Sequence, residues 1–471
     1  MDNSMSRREA LGMGTTLAAG FSLFPSIISS NALRRNAREF NVMDYGAEGD
    51  GTTLDTEAIQ QAIDKASDAG GGARVLLPGG HSYLTGTIEL KSNIDFHLAD
   101  DAELLISTNR EDYKTGAAIT SRDIRNLRLS GTGNIEGQAK EFMTHYEEEN
   151  QYWSPKDWRP RLFQLYTCKG LEAVDFSFGN SPLWGFHMVG CEDVGIDSLT
   201  IRNDLEVPNS DGINPDHCRN VEIKNCDIVA GDDNIVVKAT RQDREYGPSA
   251  NIHVYDCVLQ SQSAAIKIGT ETTSDIHDIL FERCIIKDSN RGFGIQSRDE
   301  GEVYNITFRD IEFTVEQVPD IWWGLGEGIS FTSFPRTLQS EVGGIRDIKL
   351  SNIKGMTENS IRINGSPESR IQNISLDNVD IRMNKRTEHS GGRYDNRPTE
   401  VYQGIEVHDN PGYSIQYADN ISLNNCSIEW GENRAKYYTH ALESEHVSGL
   451  KMTGFEGEAA HPDLYDSIVI Y

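Results

Sequence analysis

Positive charge, proline and long apolar runs are all scarce in this sequence. The chain of 471 residues carries 44 Lys and Arg against 73 Asp and Glu, a formal charge of −29. A nucleic-acid partner has to be met by a basic footprint, and a field of this sign repels phosphate, so no nucleic acid is expected. Hydrophobic residues amount to 37%, which excludes a multi-span membrane protein. Only 14 prolines stand against 43 glycines, the balance of a soluble, turn-rich protein. The seven cysteines are spaced too far apart for paired C-x-x-C zinc ligands. Also missing is any amphipathic helix long enough to serve as a crossover between repeats, which argues against helical and leucine-rich architectures.

The apolar run that does exist is at the start. "MSRREALGMGTTLAAGFSLFPSIISS" places Arg7 and Arg8 ahead of a weakly apolar stretch from Ala10 to Ile28, interrupted by Pro25. This is similar to a twin-arginine export signal rather than a membrane anchor, although no A-x-A cleavage site is evident. Residues 1–36 are therefore set aside as a signal segment. The mature chain is expected to be exported, periplasmic or extracellular, without an integral membrane span.

From Asn126 onward one phrase recurs: Asn, Asp or Gly, then an aliphatic, any residue, another apolar residue, and an apolar or Cys residue three further on. It reads "NLRLSG" at Asn126, "DVGIDSL" at Asp193, "NVEIKNC" at Asn220, "NIHVYDC" at Asn251 and "DILFERC" at Asp278. "NITFRDI", "DIKLSNI", "NISLDNV", "NISLNNC" and "GLKMTGF" continue it. Several starts are about 26 or 27 residues apart, the period of a solenoid. Short period-2 strands bounded by Asn, Asp and Gly predict a parallel β-helix, one domain over residues 37–471. Stacked coils lie roughly 4.8 Å apart, so the opening Asn or Asp of each phrase is expected to form a hydrogen-bonded ladder. The same register gathers the cysteines into two inward-facing files of free thiols. Upstream, "TLDTEAIQQAIDKASDAGG" predicts a capped amphipathic helix covering the first coil. Three stretches break the period and predict loops: "EFMTHYEEENQYWSPKDWRPR", "VPDIWWGLGEGISFTSFPR" and the locally basic "NKRTEHSGGRYDNRP".

One stretch departs from structural repetition. In "PNSDGINPDHCRNVEIKNCDIVAGDD", Asp211, Asp232 and Asp233 sit in glycine-bearing breaks. The spacing of Asp211 and Asp232 predicts stacked neighbours on adjacent coils, and Gly231 supplies the bend that lets both Asp232 and Asp233 face one site. Like charges so close push one pKa upward and leave an acid beside ionised carboxylates, the pairing that glycosidic cleavage requires. Turn aspartates capping backbone N–H groups are the plainer alternative.

Taken with "FNVMDYGAEGDGTTLDTEAIQQAID" and "SPLWGFHM", the stretch "NSDGINPDHCRNVEIKNCDIVAGDDNIVVK" resembles the family 28 glycoside hydrolases, the polygalacturonase and rhamnogalacturonase group. The resemblance covers most of the chain from Phe40. It implies an all-β, right-handed, single-stranded parallel β-helix, a pectin-lyase-like solenoid. It also implies inverting hydrolysis, with Asp232 as general acid and Asp211 and Asp233 positioning and deprotonating the attacking water. No metal or cofactor is implied. Two family blocks depart from the pattern: Ser263 stands where an auxiliary His belongs, and Gly294 and Gln296 stand where two cations contact the substrate carboxylate.

Period 2 points Lys238, Lys267 and Gln296 outward on neighbouring coils, and Lys267 is the candidate replacement cation, with Arg291 and Arg298 behind it. Trp322, Trp323 and Glu327 in the second insertion are candidates for stacking on a sugar and binding its hydroxyls. His187 and His217 flank the region, and His217 is a candidate cleft residue unless it is satisfied in its turn. The expected substrate is a plant or algal polysaccharide or its oligosaccharides, with a pectin-type galacturonide foremost. The large insertions predict a pocket and exo action. Two alternatives remain at this point: a β-helical lyase using Ca²⁺ and a Lys or Arg base, and a noncatalytic carbohydrate-binding β-helix.

Overall fold

The computed structural model describes residues 38–471, so the expected signal segment lies outside the described residues. The chain forms a right-handed parallel β-helix whose coils stack into one continuous 35-stranded sheet, with three short strands in the central coils and longer merged strands such as Ile345–Thr357 toward the C-terminus. One coil runs Ile213–Asp216, Arg219–Lys224 and Asp227–Ala230 before Ile235–Ala239 starts the next. Equivalent residues stack in parallel register: Phe163 on Phe186, then Ile213, Ile235, Ile266, Phe293 and Ile329. These apolar side chains point inward and are buried, which makes the core a set of vertical files along the axis.

Turn chemistry sets the register. Asn220, Asn251, Asp278, Asn305, Asp347, Asn373 and Asn420 all have φ between 54 and 58°, the left-handed region that Asn and Asp tolerate best. Their side chains also form the expected ladder. Asn220 Nδ2 donates to Asp193 Oδ1 at 2.9 Å, Asn251 to Asn220 at 2.7 Å and Asn373 to Asp347 at 2.9 Å. The residue that turns the corner thus also ties each coil to the one beneath.

The cysteines follow the same files. Cys168, Cys191 and Cys218 occupy one, and the Cys168 N–H points at Cys191 Sγ at 3.4 Å. Cys226, Cys257 and Cys284 begin a second, which continues through Ile311, Ile353 and Val379 to Cys426. All seven are free and buried. Burial pushes the Cys168 thiol up to about 12.

Helix α1, Thr56–Ala69, buries Ala58, Ile59, Ala62, Ile63 and Ala66 against the first coil. Asp55 holds its N-cap position, but the carboxylate accepts from the N–H groups of Glu48 and Gly49 at 2.7 and 3.1 Å instead of capping the helix. The first insertion forms an antiparallel hairpin, Met143–Glu147 with Tyr152–Pro155. The third pairs Arg393–Asp395 with Ile405–Val407. Among the described residues no helix is long and apolar enough to cross a membrane.

Candidate active site

The turns that precede successive strands of one face carry the acidic residues. Pro208–Asp211 leads into Ile213–Asp216, and Gly231–Asp233 leads into Ile235–Ala239. The Gly212 N–H donates to Asp233 O at 2.9 Å, so Asp211 stacks on Asp233 and not, as the spacing predicts, on Asp232. Asp232 sits one residue earlier. Gly231 is required by space rather than by an unusual backbone angle, because a Cβ there would lie 2.3 Å from Val207 O. All three carboxylates line a cleft of about 200 Å³ together with Lys238, Lys267, Trp322 and Trp323. That is smaller than the roughly 300–1,000 Å³ pockets of drug-sized ligands and suits about one sugar ring.

Each carboxylate has a distinct setting. Asp233 is buried, with Lys267 Nζ 2.9 Å from Oδ2 and Ser263 Oγ 3.2 Å from Oδ1. Asp211 Oδ2 accepts from Asn214 Nδ2 at 2.6 Å, while its buried Oδ1 has no partner among the described residues. Burial, with Asp232 and Asp233 adding to it, holds the Asp211 pKa well above the usual carboxylate range. Asp232 lies at the cleft mouth, where Oδ1 accepts from the Asp233 N–H at 2.9 Å and Oδ2 from Asn209 Nδ2 at 3.3 Å. Burial and the Asp233 charge raise its pKa to about 6. The cleft therefore retains protons while keeping an ion-paired carboxylate beside them.

The two lysines face the cleft but are not free. Lys238 is 4% exposed, pairs with Glu271 at 2.9 Å and lies 5.0 Å from the Trp184 ring. Lys267 lies 5.6 Å from the Trp323 ring, so its ammonium bridges Asp233 and an indole face. Trp323 is 38% exposed. Trp322 is buried, donates to Asn150 O at 3.2 Å, and meets Tyr152 of the first insertion edge-on at 5.3 Å. The first two insertions thus join above the cleft.

Five expected contacts are absent from the cleft. Gln296 points outward as period 2 predicts, but its Nε2 donates to Arg397 O at 3.3 Å beneath the third insertion. Arg298 is buried on carbonyl oxygens of Ser297, Thr332, Asn396 and Pro398. Arg291 pairs with buried Glu327 at 3.3 Å and lies 3.8 Å from Asp395, which occupies both the cation and the acid. The ring nitrogens of His217 lie 2.5 and 2.8 Å from the carbonyl oxygens of Gly247 and Thr240, so it is the turn histidine of the plainer reading. His187 is buried against Asp216 at 3.1 Å.

Sequence reasoning missed Tyr152, Trp184, Asn209, Thr270, Glu271 and Ile321, all of which line the cleft. Trp184 lies within "SPLWGFHM" and Glu271 within "GTET", so the signal was present. What was lacking was the orientation of each side chain.

Comparison with known proteins bears on this arrangement. The family model "Glycosyl hydrolases family 28" matches residues 71–393, which include the whole cleft. A Vitis vinifera protein described as a probable polygalacturonase is 28% identical over 386 residues, covering 75% of this chain and 76% of that one. The exo-poly-α-D-galacturonosidase of Dickeya chrysanthemi is 26% identical over 57% of this chain and 54% of that one. Among solved structures, a hyperthermoactive exopolygalacturonase from Thermotoga maritima superposes with a TM-score of 0.62 at 25% identity, over 74% of this chain and 87% of that one. The family 28 exopolygalacturonase of Yersinia enterocolitica shares the fold, with a TM-score of 0.64 at 21% identity over 89% and 78%. A family match that runs through every coil bearing the aspartates makes this protein a member of glycoside hydrolase family 28.

Proposed function

We propose that the protein is an exported, inverting hydrolase that removes sugar residues from the end of a pectin-type galacturonide. The observation that carries this reading is the cleft itself: three carboxylates from adjacent coils, one with its pKa raised to about 6 and another ion-paired to a lysine. Asp232, at the mouth, is the general acid and protonates the leaving glycosidic oxygen. Asp233, paired with Lys267 and bonded by Ser263, takes the proton of the water, and Asp211, whose raised pKa keeps it protonated, helps to position that water beside Asn214. Attack by water from the opposite face of the ring inverts the anomeric carbon.

The small cleft and the contact between Tyr152 and Trp322 favour exo action, as do the names of several relatives. Export rests on Arg7, Arg8 and the apolar stretch behind them. The lyase alternative is less favoured because Lys267 already compensates Asp233, the role that a divalent cation would play in that mechanism. The test is to incubate the protein with oligogalacturonides and follow the nascent anomer by NMR. Release of the inverted anomer supports the reading; an unsaturated product absorbing in the ultraviolet would transfer it to the lyase class.

A further inference from the structure

The first insertion sends one cation toward the mouth of the cleft. Trp158 anchors this end of it, packing edge-on against Tyr113 at 5.0 Å and tilted against Phe142 at 5.9 Å. The next residue, Arg159, directs its guanidinium at neutral oxygens: Nη1 donates to Pro182 O at 2.9 Å and Pro208 O at 2.8 Å, and Nη2 donates to Asn209 Oδ1 at 2.9 Å. Among the described residues no carboxylate pairs with it, in a chain that carries 73 acidic residues. Burial pushes this guanidinium below its ordinary pKa, and the nearby Tyr152, Asp232 and Asp211 oppose that shift.

Asn209 is the link to the chemistry. It sits in the turn with φ of 58°, and its Nδ2 donates to Asp232 Oδ2 at 3.3 Å. The two ends of an amide have nearly the same shape, but only one of them donates. Arg159 is a donor without an acceptor, so it selects the orientation in which Oδ1 faces the guanidinium and Nδ2–H faces Asp232. Turned the other way, the amide would offer Asp232 an oxygen, which suits the protonated carboxyl and holds the proton back. The charged and titratable groups that face Asp232 are Asp233 and Asp211 from the adjoining turns, Lys238 and Lys267 from the strands that follow, and Tyr152 and Arg159 from the first insertion. Both lysines are already paired, with Glu271 and Asp233.

We infer that Arg159 is a positioning residue for the acid step: it holds the Asn209 amide so that its N–H steadies the Asp232 carboxylate formed as the glycosidic oxygen takes the proton. In that step the O–H bond of Asp232 breaks, the proton bonds to the glycosidic oxygen, and the electron pair of the anomeric C–O bond stays with that oxygen as water adds to the carbon. This role rests on the hydrolytic reading given above, with Asp232 as the acid.

The test compares the parent with Arg159→Met, Arg159→Lys and Asn209→Gly, whose glycine accepts the left-handed turn, each checked for native circular dichroism. On an oligogalacturonide, kcat of Arg159→Met should fall about thirtyfold, while on an aryl galacturonide whose phenolate leaves without a proton the fall should be at least about tenfold smaller. The alkaline limb of kcat/KM should move upward from about pH 6 by about one unit, a tenfold gain in proton affinity. Arg159→Lys should recover part of both changes. Asn209→Gly alone should reproduce the shifted limb, which keeps the role testable should Arg159→Met fail to fold. Added to Asn209→Gly, Arg159→Met should cost no more than about twofold, because the amide it acts through is gone. An equal loss on both substrates with an unmoved limb, or the full Arg159→Met effect persisting beside Asn209→Gly, would overturn the role. Carbon-13 NMR of the aspartate carboxyls, with the Asp232 signal identified by its absence from Asp232→Asn protein, reads the same midpoint without turnover. Hydrolysis by the parent with an unmoved midpoint keeps the reaction and sinks the role of Arg159; a moved midpoint without hydrolysis sinks the reaction and keeps the coupling through Asn209.

Discussion

Asp232→Asn should cost activity and increase stability, and the two effects have one cause. In the folded protein the Asp232 pKa is raised to about 6 from 3.8, mainly by burial and then by the Asp233 charge. At about 1.4 kcal/mol for each tenfold in proton affinity, holding the ionised carboxylate costs up to about 3 kcal/mol. Because the folded pKa is the higher one, the cost is absent below pH 3.8, where both states are protonated, and is complete above about 6. Asp232 is partly exposed at the cleft mouth, so solvent screening trims the figure toward about 2 kcal/mol. Asn retains an oxygen to accept the Asp233 N–H, so little bonding is lost. Thermal denaturation followed by circular dichroism should therefore show Asp232→Asn melting a few degrees above the parent at pH 8, with no difference near pH 3.5. Release of reducing ends should fall roughly 10²–10⁴-fold, the usual contribution of a general acid. Retained turnover, or a stability difference that is the same at both pH values, would refute the assignment of the retained proton to this residue.

The same raised pKa places the alkaline limb of kcat/KM: activity should decline above about pH 6, as Asp232 loses the proton it must donate, and a flat profile to pH 8 would contradict this. Arg397 donates to Trp322 O at 2.6 Å and to Asp320 O at 2.9 Å while pairing with Asp395 at 2.8 Å. Arg397→Ala should raise KM roughly tenfold with little change in kcat, and Arg397→Lys should recover part of the loss in steady-state assays. Asn251→Ala removes a ladder hydrogen bond and forces φ of 57° on alanine, so it should cost about 1–3 kcal/mol in urea denaturation, and Asn251→Gly should cost less because the backbone term vanishes. The folded protein should leave all seven cysteines unreactive toward a chromogenic disulfide reagent, and all seven should titrate once it is unfolded.

The fold was legible because a single local requirement repeats. Every coil needs a residue that tolerates the left-handed region and can bond to its equivalent one coil away, and Asn or Asp at each phrase start meets both needs. The three cleft aspartates were legible for the converse reason, since they interrupt that pattern beside glycines. Their stacking was not. Asp211 and Asp232 are one residue away from true equivalence, and the register of the strands that follow, Ile213 on Ile235, puts Asp233 in the position above Asp211. The walls of the cleft were less legible still, because period 2 tells which way a strand residue points but not what covers it. Gln296 does point outward, and its partner is the carbonyl of Arg397, 101 residues later. That same Arg397 secures the backbone of Trp322. The basic third insertion, which in sequence looked like a surface loop, thus both withdraws Gln296 and Arg298 from the cleft and braces the tryptophan wall. The cations left in the cleft beside the three carboxylates are then Lys267 and Lys238, each already shared with an acid. A galacturonide entering such a site gains few new cation contacts there.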